Sequence, residues 1–295
     1  MKNKRNIIIA LGCTIILGAT VFGIYFSTQS AQPKSYAELT ELSPEELEKV
    51  DIALMNLLCA EGLPGAEKLN VDECLAVLNQ WAELVKQNEE KYSGQFFQSR
   101  QKYDNSYAKF QAVNLGLTLK EDLKCGYNQE LVESGAMNDI RSTRFFRNSK
   151  DIFLHGFIEK RTGSCSSLPV LMVAIGRRCG YPLFLVTCKG HLFCRWDDGK
   201  ERFNIETACP GVDSKPDSYY MHWPHPTNPA EAKAEKFLKS LNHTEELAVF
   251  ARLRATCLEE NKRYAEASEA YSFALPSFPE SKYLKAYLNN VNRRK

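Results

Sequence analysis

Charge is absent from Ile7 to Phe26, and Lys2, Lys4 and Arg5 stand just before this apolar run. As a helix, roughly 20 residues rising about 1.5 Å each match the hydrocarbon thickness of a bilayer. The apolar stretch of a cleaved signal peptide is shorter, and Ser27-Thr28-Gln29-Ser30-Ala31 makes a poor cleavage site. The pattern therefore predicts a transmembrane signal anchor over residues 1–27. By the positive-inside rule its N-terminus stays in the cytoplasm and the remaining chain is extracytoplasmic, periplasmic or otherwise exported. Secretion after signal cleavage is the alternative. Beyond a polar linker (Ser27 to Ser35) the pattern becomes helical. Ser43-Pro44-Glu45-Glu46 offers an N-cap, a proline at the first helical position and acidic residues in the first turn. Leu75, Leu78, Trp81, Ala82 and Val85 then recur at helical spacing. Gln87 to Ala108 reads as a loop leading to another helix near Phe110 to Leu117.

The periodicity changes after residue 150. Leu168, Leu171, Met172 and Ile175 predict an amphipathic helix, capped at its end by Gly180 and stopped by Pro182. Proline is tolerated only in a first helical turn, so Pro169 places the helix start between Ser164 and Ser167. Leu183 to Cys188 reads as a strand, and His191 to Trp196 as a second that alternates roughly. Asp197-Asp198-Gly199-Lys200 is a hairpin signal, with Arg202 to Thr207 the returning strand. Four parts result: the anchor, a helical region over 36–150, a mixed core over 151–227 and a helical segment over 228–295.

Composition changes this picture little. Lys plus Arg number 38 against 36 Asp plus Glu, a formal charge of +2, so no basic excess points to nucleic acid. Arg141, Arg144 and Arg147 read as a solvated face. Of ten cysteines, Cys13 falls in the apolar run. In an exported chain some of Cys59, Cys74, Cys125, Cys179, Cys188, Cys194, Cys209 and Cys257 should pair, Cys59 with Cys74 most readily across the turn Gly62-Leu63-Pro64-Gly65. The alternative makes most of them small buried hydrophobes. No Cys-x-x-Cys occurs, so no metal and no cofactor is expected.

Chemistry gathers around Cys165. A thiolate is favoured at a helix N-terminus beside an imidazolium, and Cys165 occupies the expected helix start. His191 opens the following strand, where its side chain could turn back toward that start. Asn204 and Glu206 share one face of the returning strand, and either could orient the imidazole. Cys165, His191 and Glu206 or Asn204 thus form a candidate nucleophile, base and orienter on successive elements.

Gly163-Ser164-Cys165-Ser166-Ser167, Gly180-Tyr181-Pro182, Gly190-His191-Leu192-Phe193 and Phe203-Asn204-Ile205-Glu206-Thr207 together resemble the transglutaminase-like superfamily. The likeness is nearest to the bacterial branch typified by the SirB N-terminal domain, and it covers roughly Phe153 to Gly211. The resemblance implies an α+β, papain-like core in which a central helix packs on an antiparallel sheet. Cys165 would be the nucleophile, His191 the base and Glu206 the acidic third member, where the family usually has Asp. It also implies a cysteine enzyme acting on amide bonds of a peptide or protein substrate, a hydrolase or an acyltransferase working through a thioester. A binding or assembly protein that keeps the fold without the chemistry is the competing reading. A third, a structural Cys-rich domain, would place Cys165 in a disulfide or in the core.

His222-Trp223-Pro224-His225-Pro226 reads as a packed linker. After it, Ala251, Leu258, Ala267, Tyr271, Ala274 and Pro279 fall close to the spacing of a tetratricopeptide repeat. Such a repeat suggests a surface for a protein partner; the alternative is an ordinary helical hairpin.

Overall fold

In a computed structural model that describes residues 32–129, 143–207 and 213–295, the N-terminal helices are set by their caps. Helix α1 (Tyr36–Glu41) begins at Ser35, and α2 (Pro44–Leu47) opens on the capping box of Ser43 and Glu46. Asp51 caps α3 (Ile52–Ala60), whose every residue is buried, as expected of a helix that is apolar all round. The one amide on it, Asn56, accepts a hydrogen bond from the backbone N–H of Leu154 at 2.9 Å. That bond satisfies an open donor at the start of another helix.

Helix α4 (Val71–Gln98) is longer than expected. The segment from Gln87, read above as a loop, continues it for three turns. Apolar periodicity stops there, but Lys86, Gln87, Glu89, Glu90 and Lys91 favour helix by propensity. Its end is pinned by Phe96, which meets Tyr103, Tyr107 and Phe110 at ring centroid distances of 5.1–6.0 Å. Tyr107 and Phe110 belong to α5 (Tyr107–Leu117).

Strand β1 (Gly126–Tyr127) pairs in parallel with β2 (Thr162–Gly163), which follows helix α6 (Leu154–Lys160). Helix α7 (Leu168–Arg178) comes next and is enclosed on every face from Leu168 to Gly176, not amphipathic as expected. Gly180, at φ +81°, turns the chain away from it. Strands β3 (Leu183–Cys188), β4 (His191–Asp197) and β5 (Arg202–Ile205) form an antiparallel sheet in that order. Leu185 opposes Cys194, and Arg195 opposes Asn204. Helix α7 packs on β3, β4, α3 and α4, so the architecture is α+β.

Short helices α8 (Asp217–Tyr220) and α9 (Pro229–Ala234) lead to α10 (His243–Glu260), α11 (Tyr264–Ala274) and α12 (Lys282–Asn292). Ala251, Leu258, Ala267, Tyr271 and Ala274 are all buried, and α10 packs on both α11 and α3. Arg254 of α10 donates to the backbone oxygens of Cys59 and Glu61. Arg177, at the end of α7, grips the buried Glu246 of α10 with two bonds of 2.9 and 2.6 Å. Ser35–Lys295 forms one compact unit, with a main apolar core reaching from Leu39 to Val291 and a smaller cluster of Val186, Cys188, Phe193 and Tyr220.

Two expectations are corrected. Among the described residues no helix is long and apolar enough to cross a membrane. Helix α4 has the length, but seven charged residues lie along it. The run Ile7–Phe26 lies outside the described residues, as do Cys13, Cys209 and the Arg141 and Arg144 side chains. The membrane-anchor expectation is therefore not carried further. The expected disulfides are also absent among the described residues, where eight cysteines are free. Cys59 points into the core and burial pushes its thiol up to about 12, whereas Cys74 is only half-buried on α4.

Candidate active site

The turn between β2 and α7 holds Cys165, and hydroxyl groups brace it. Ser164 donates its backbone N–H to Ser167 Oγ at 3.0 Å and its hydroxyl to the carbonyl of Asp151 at 3.0 Å. Ser164 Oγ and Ser166 Oγ are 2.8 Å apart, and Leu168 N–H reaches the Ser164 carbonyl at 3.0 Å. Helix α7 thus begins at Leu168, with Pro169 in its first turn, and Cys165 lies half-buried at its N-terminal mouth. There the helix dipole favours an anion. Gly163 makes the turn possible, because a Cβ there would lie 2.2 Å from Phe157 and 2.4 Å from Ser167 Oγ. Gly163→Ala is expected to cost about 1–3 kcal/mol by overpacking, read by urea unfolding. An unchanged midpoint would mean that the turn shifts freely.

Next to this turn, β4 opens with His191. The ladder pairs Arg195 with Asn204, so His191, Phe193 and Arg195 share a face with Asn204 and Glu206. Glu206 lies diagonally across from His191, with its carboxylate oxygens 3.0 and 3.2 Å from His191 Nε2. Both side chains are withdrawn from water, with His191 2% and Glu206 1% exposed. Tyr220 donates its hydroxyl to Glu206 Oε2 at 3.0 Å while its ring stacks on Phe193 at 3.8 Å. Trp223, from the segment read as a packed linker, stands edge-on to His191 at 4.7 Å. With Nε2 held by the carboxylate, Nδ1 is the imidazole nitrogen left to face Cys165, whose thiol helps to raise His191.

Asn204 is placed otherwise. Its Oδ1 accepts from Arg195 Nε at 2.7 Å, and its Nδ2 donates to the Lys215 carbonyl at 2.9 Å and to Asp217 at 2.7 Å. The guanidinium of Arg195 is fully buried and also meets Asp217 at 2.6 Å. The amide therefore serves a buried cation, and of the two candidate orienters only Glu206 reaches the imidazole.

Burial is the largest single influence on His191 and disfavours its cation. Hydrogen bonds and charge from Cys165 and Glu206 outweigh it, so the imidazolium persists up to about pH 9. Cys188, one element away, is pushed up by burial and by the same two neighbours. Cys165 and His191 open on a cleft of about 520 Å³. Its far wall is the C-terminal helices: Leu253 and Phe278 give apolar surface, and Arg252 and Glu259 interrupt it with charge. Glu259 accepts from Tyr271 at 3.1 Å and from Asn290 at 2.6 Å.

Tyr220, Trp223 and Tyr127 lie at the site without having been singled out as part of it. The aromatic cluster around residue 220 was visible in the chain, but nothing local connects it to His191. Among the described residues no group of side chains could hold a metal ion. No family model, no curated protein and no solved structure matches this chain.

Proposed function

We propose that the chain is a papain-like, transglutaminase-type cysteine enzyme acting on amide bonds of a peptide or protein. The observation that carries this reading is the buried His191, clasped through Nε2 by Glu206 with its other nitrogen left for the Cys165 thiol. Lone histidines on strands do not need a buried carboxylate; a base that must keep one tautomer and orientation does. The Cys165 thiolate attacks the amide carbonyl carbon, and the carbonyl electron pair moves onto oxygen. As the carbon–nitrogen bond breaks, the imidazolium of His191 gives its proton to the departing amine. This leaves a Cys165 thioester, which water or a second amine then opens, with His191 taking the incoming proton. The cleft wall formed by α10, α11 and α12 would hold the flanking substrate chain.

His191→Ala is expected to slow alkylation of Cys165 by iodoacetamide at pH 7 about tenfold or more, with Cys165→Ser as the blank. Amide turnover is expected to fall as pH rises through about 9, where His191 loses the proton needed by the leaving amine. The stabilising effect of this charge has the same sign: it is complete below the ordinary histidine value and is lost as pH climbs through about 9. Slow labelling that ignores the His191 substitution would instead favour the binding-protein reading. The C-terminal wall of the cleft would then be the surface to probe with peptide libraries.

A further inference from the structure

Along α10, Val249, Arg252, Leu253, Thr256, Glu259 and Glu260 recur at three- and four-residue spacing, so one face of the helix lines the cleft on which Cys165 opens. The charged groups of this cleft are occupied unequally. Glu235 accepts from the Ser281 hydroxyl at 2.6 Å and from the backbone N–H of Lys282 at 2.9 Å, so its carboxylate is spent on the start of α12. Glu259 is held by Tyr271 and Asn290. Arg254, two positions beyond Arg252, is used on the carbonyls of Cys59 and Glu61. Arg252 differs from all of these. It is half-buried and its carbonyl accepts from Thr256 Oγ1 at 3.0 Å, yet its guanidinium makes no hydrogen bond and no ion pair among the described residues. Its charge is felt at the Tyr271 hydroxyl, where that of Glu259 opposes it. A guanidinium drawn partly out of water among apolar side chains is stabilised by an acceptor in its fork of N–H donors, and no described side chain supplies one here.

We propose that Arg252 selects the substrate, by pairing with a carboxylate on the peptide whose amide carbon lies at Cys165. The proposal rests on the cysteine-enzyme reading above and names the substrate class. That class is an anionic peptide, its carboxylate carried either by an Asp or Glu side chain or by the end of the chain. Two parallel N–H···O bonds from one planar group fix a carboxylate in position and in angle, which a lysine ammonium does not do. Glu259 lies seven residues further on, about 10 Å along the helix at 1.5 Å per residue. It repels the same carboxylate, so the two charges together confine the substrate anion to the Arg252 end of the wall. Leu253 and Phe278 offer apolar surface to the side chains beside it.

The test labels Cys165 with bromoacetyl peptides, which alkylate the sulfur without any amide being cleaved. Alanine spacers of about one to four residues, each adding at most ~3.5 Å, carry one of three ends. These are glutamate amide, glutamine with a free C-terminal carboxylate, and the neutral glutamine amide. The wild type is expected to react about fivefold or more faster with at least one carboxylate series than with the neutral peptide of the same length. In Arg252→Gln, and in Arg252→Met, which keeps the apolar stem, that ratio should fall to about one. Preference for the glutamate series alone assigns the anion to a side chain, preference for the free C-terminus alone assigns it to the chain end, and preference for both shows that either is taken. Equal rates for all three ends in the wild type, a faster neutral series, or a carboxylate preference that survives both substitutions would overturn the proposal. So would a parallel fall of all three rates or loss of the fold in both variants, which would make the guanidinium structural. Failure of the cysteine-enzyme reading has a different sign: slow wild-type reaction with iodoacetamide and p-nitrophenyl acetate alike, indifferent to His191→Ala.

Discussion

Glu206→Gln is expected to lower acylation of Cys165 by about a thousandfold or more while leaving the overall fold recognisable by circular dichroism. The amide keeps the shape of the carboxylate but can present its NH2 to His191 Nε2, which reverses the hydrogen bond and favours the wrong tautomer. It also removes the negative charge that, with Cys165, holds the imidazolium up to about pH 9. Burial is then opposed by Cys165 alone, and His191 should titrate clearly below about 9, visible in the NMR shifts of its ring protons. A His191 titration unmoved in the variant would mean that the contacts of 3.0 and 3.2 Å do not govern the base. Tyr220→Phe is a milder form of the same change, since it removes one donor from Oε2 and leaves the charge in place.

Asn204→Leu should fail in the opposite way. Leucine keeps the branched heavy-atom outline, though it is bulkier, and accepts nothing from Arg195 Nε and gives nothing to Asp217 or the Lys215 carbonyl. A fully buried guanidinium then loses one of the partners that offset its desolvation, at a cost of about 3 kcal/mol. Denaturant unfolding should read that loss directly. At temperatures where the variant stays folded, the alkylation and acylation rates of Cys165 should remain within about threefold of wild type. If acylation falls as far as in Glu206→Gln, the amide is acting on the imidazole after all, and the assignment of the orienter to Glu206 would have to be withdrawn.

The choice between these two residues marks the limit of what the chain's pattern discloses. Strand alternation places Asn204 and Glu206 on one face, and the observed register agrees. What separates them is Arg195, a charged residue whose complete burial depends on Asp217, thirteen positions beyond Asn204. No local pattern announces a buried arginine. Punctuating residues fared better: Pro169 and Gly180 bracket α7 within a few residues because each acts through its own backbone. The extension of α4 past Gln87 was hidden because its outer turns are polar and are held by helix propensity and a distant aromatic cluster. Tyr127 was hidden for a different reason. Its partner strand is two residues long, and the pairing exists only once α6 has brought the chain back.

Arg254 donates to the carbonyl of Cys59 across 195 residues of sequence, and the C-terminal helices wall the cleft on which Cys165 opens. A ribosome making this chain in order releases α3, apolar on every face, long before the helix that covers it exists. During that interval the growing chain carries an unburied hydrophobic helix, the kind of exposed surface that makes folding intermediates prone to aggregate. The cysteine passes through the same interval with its cleft unfinished. Delayed assembly thus leaves the cleft on which the Cys165 thiol opens without its C-terminal wall until synthesis is nearly over.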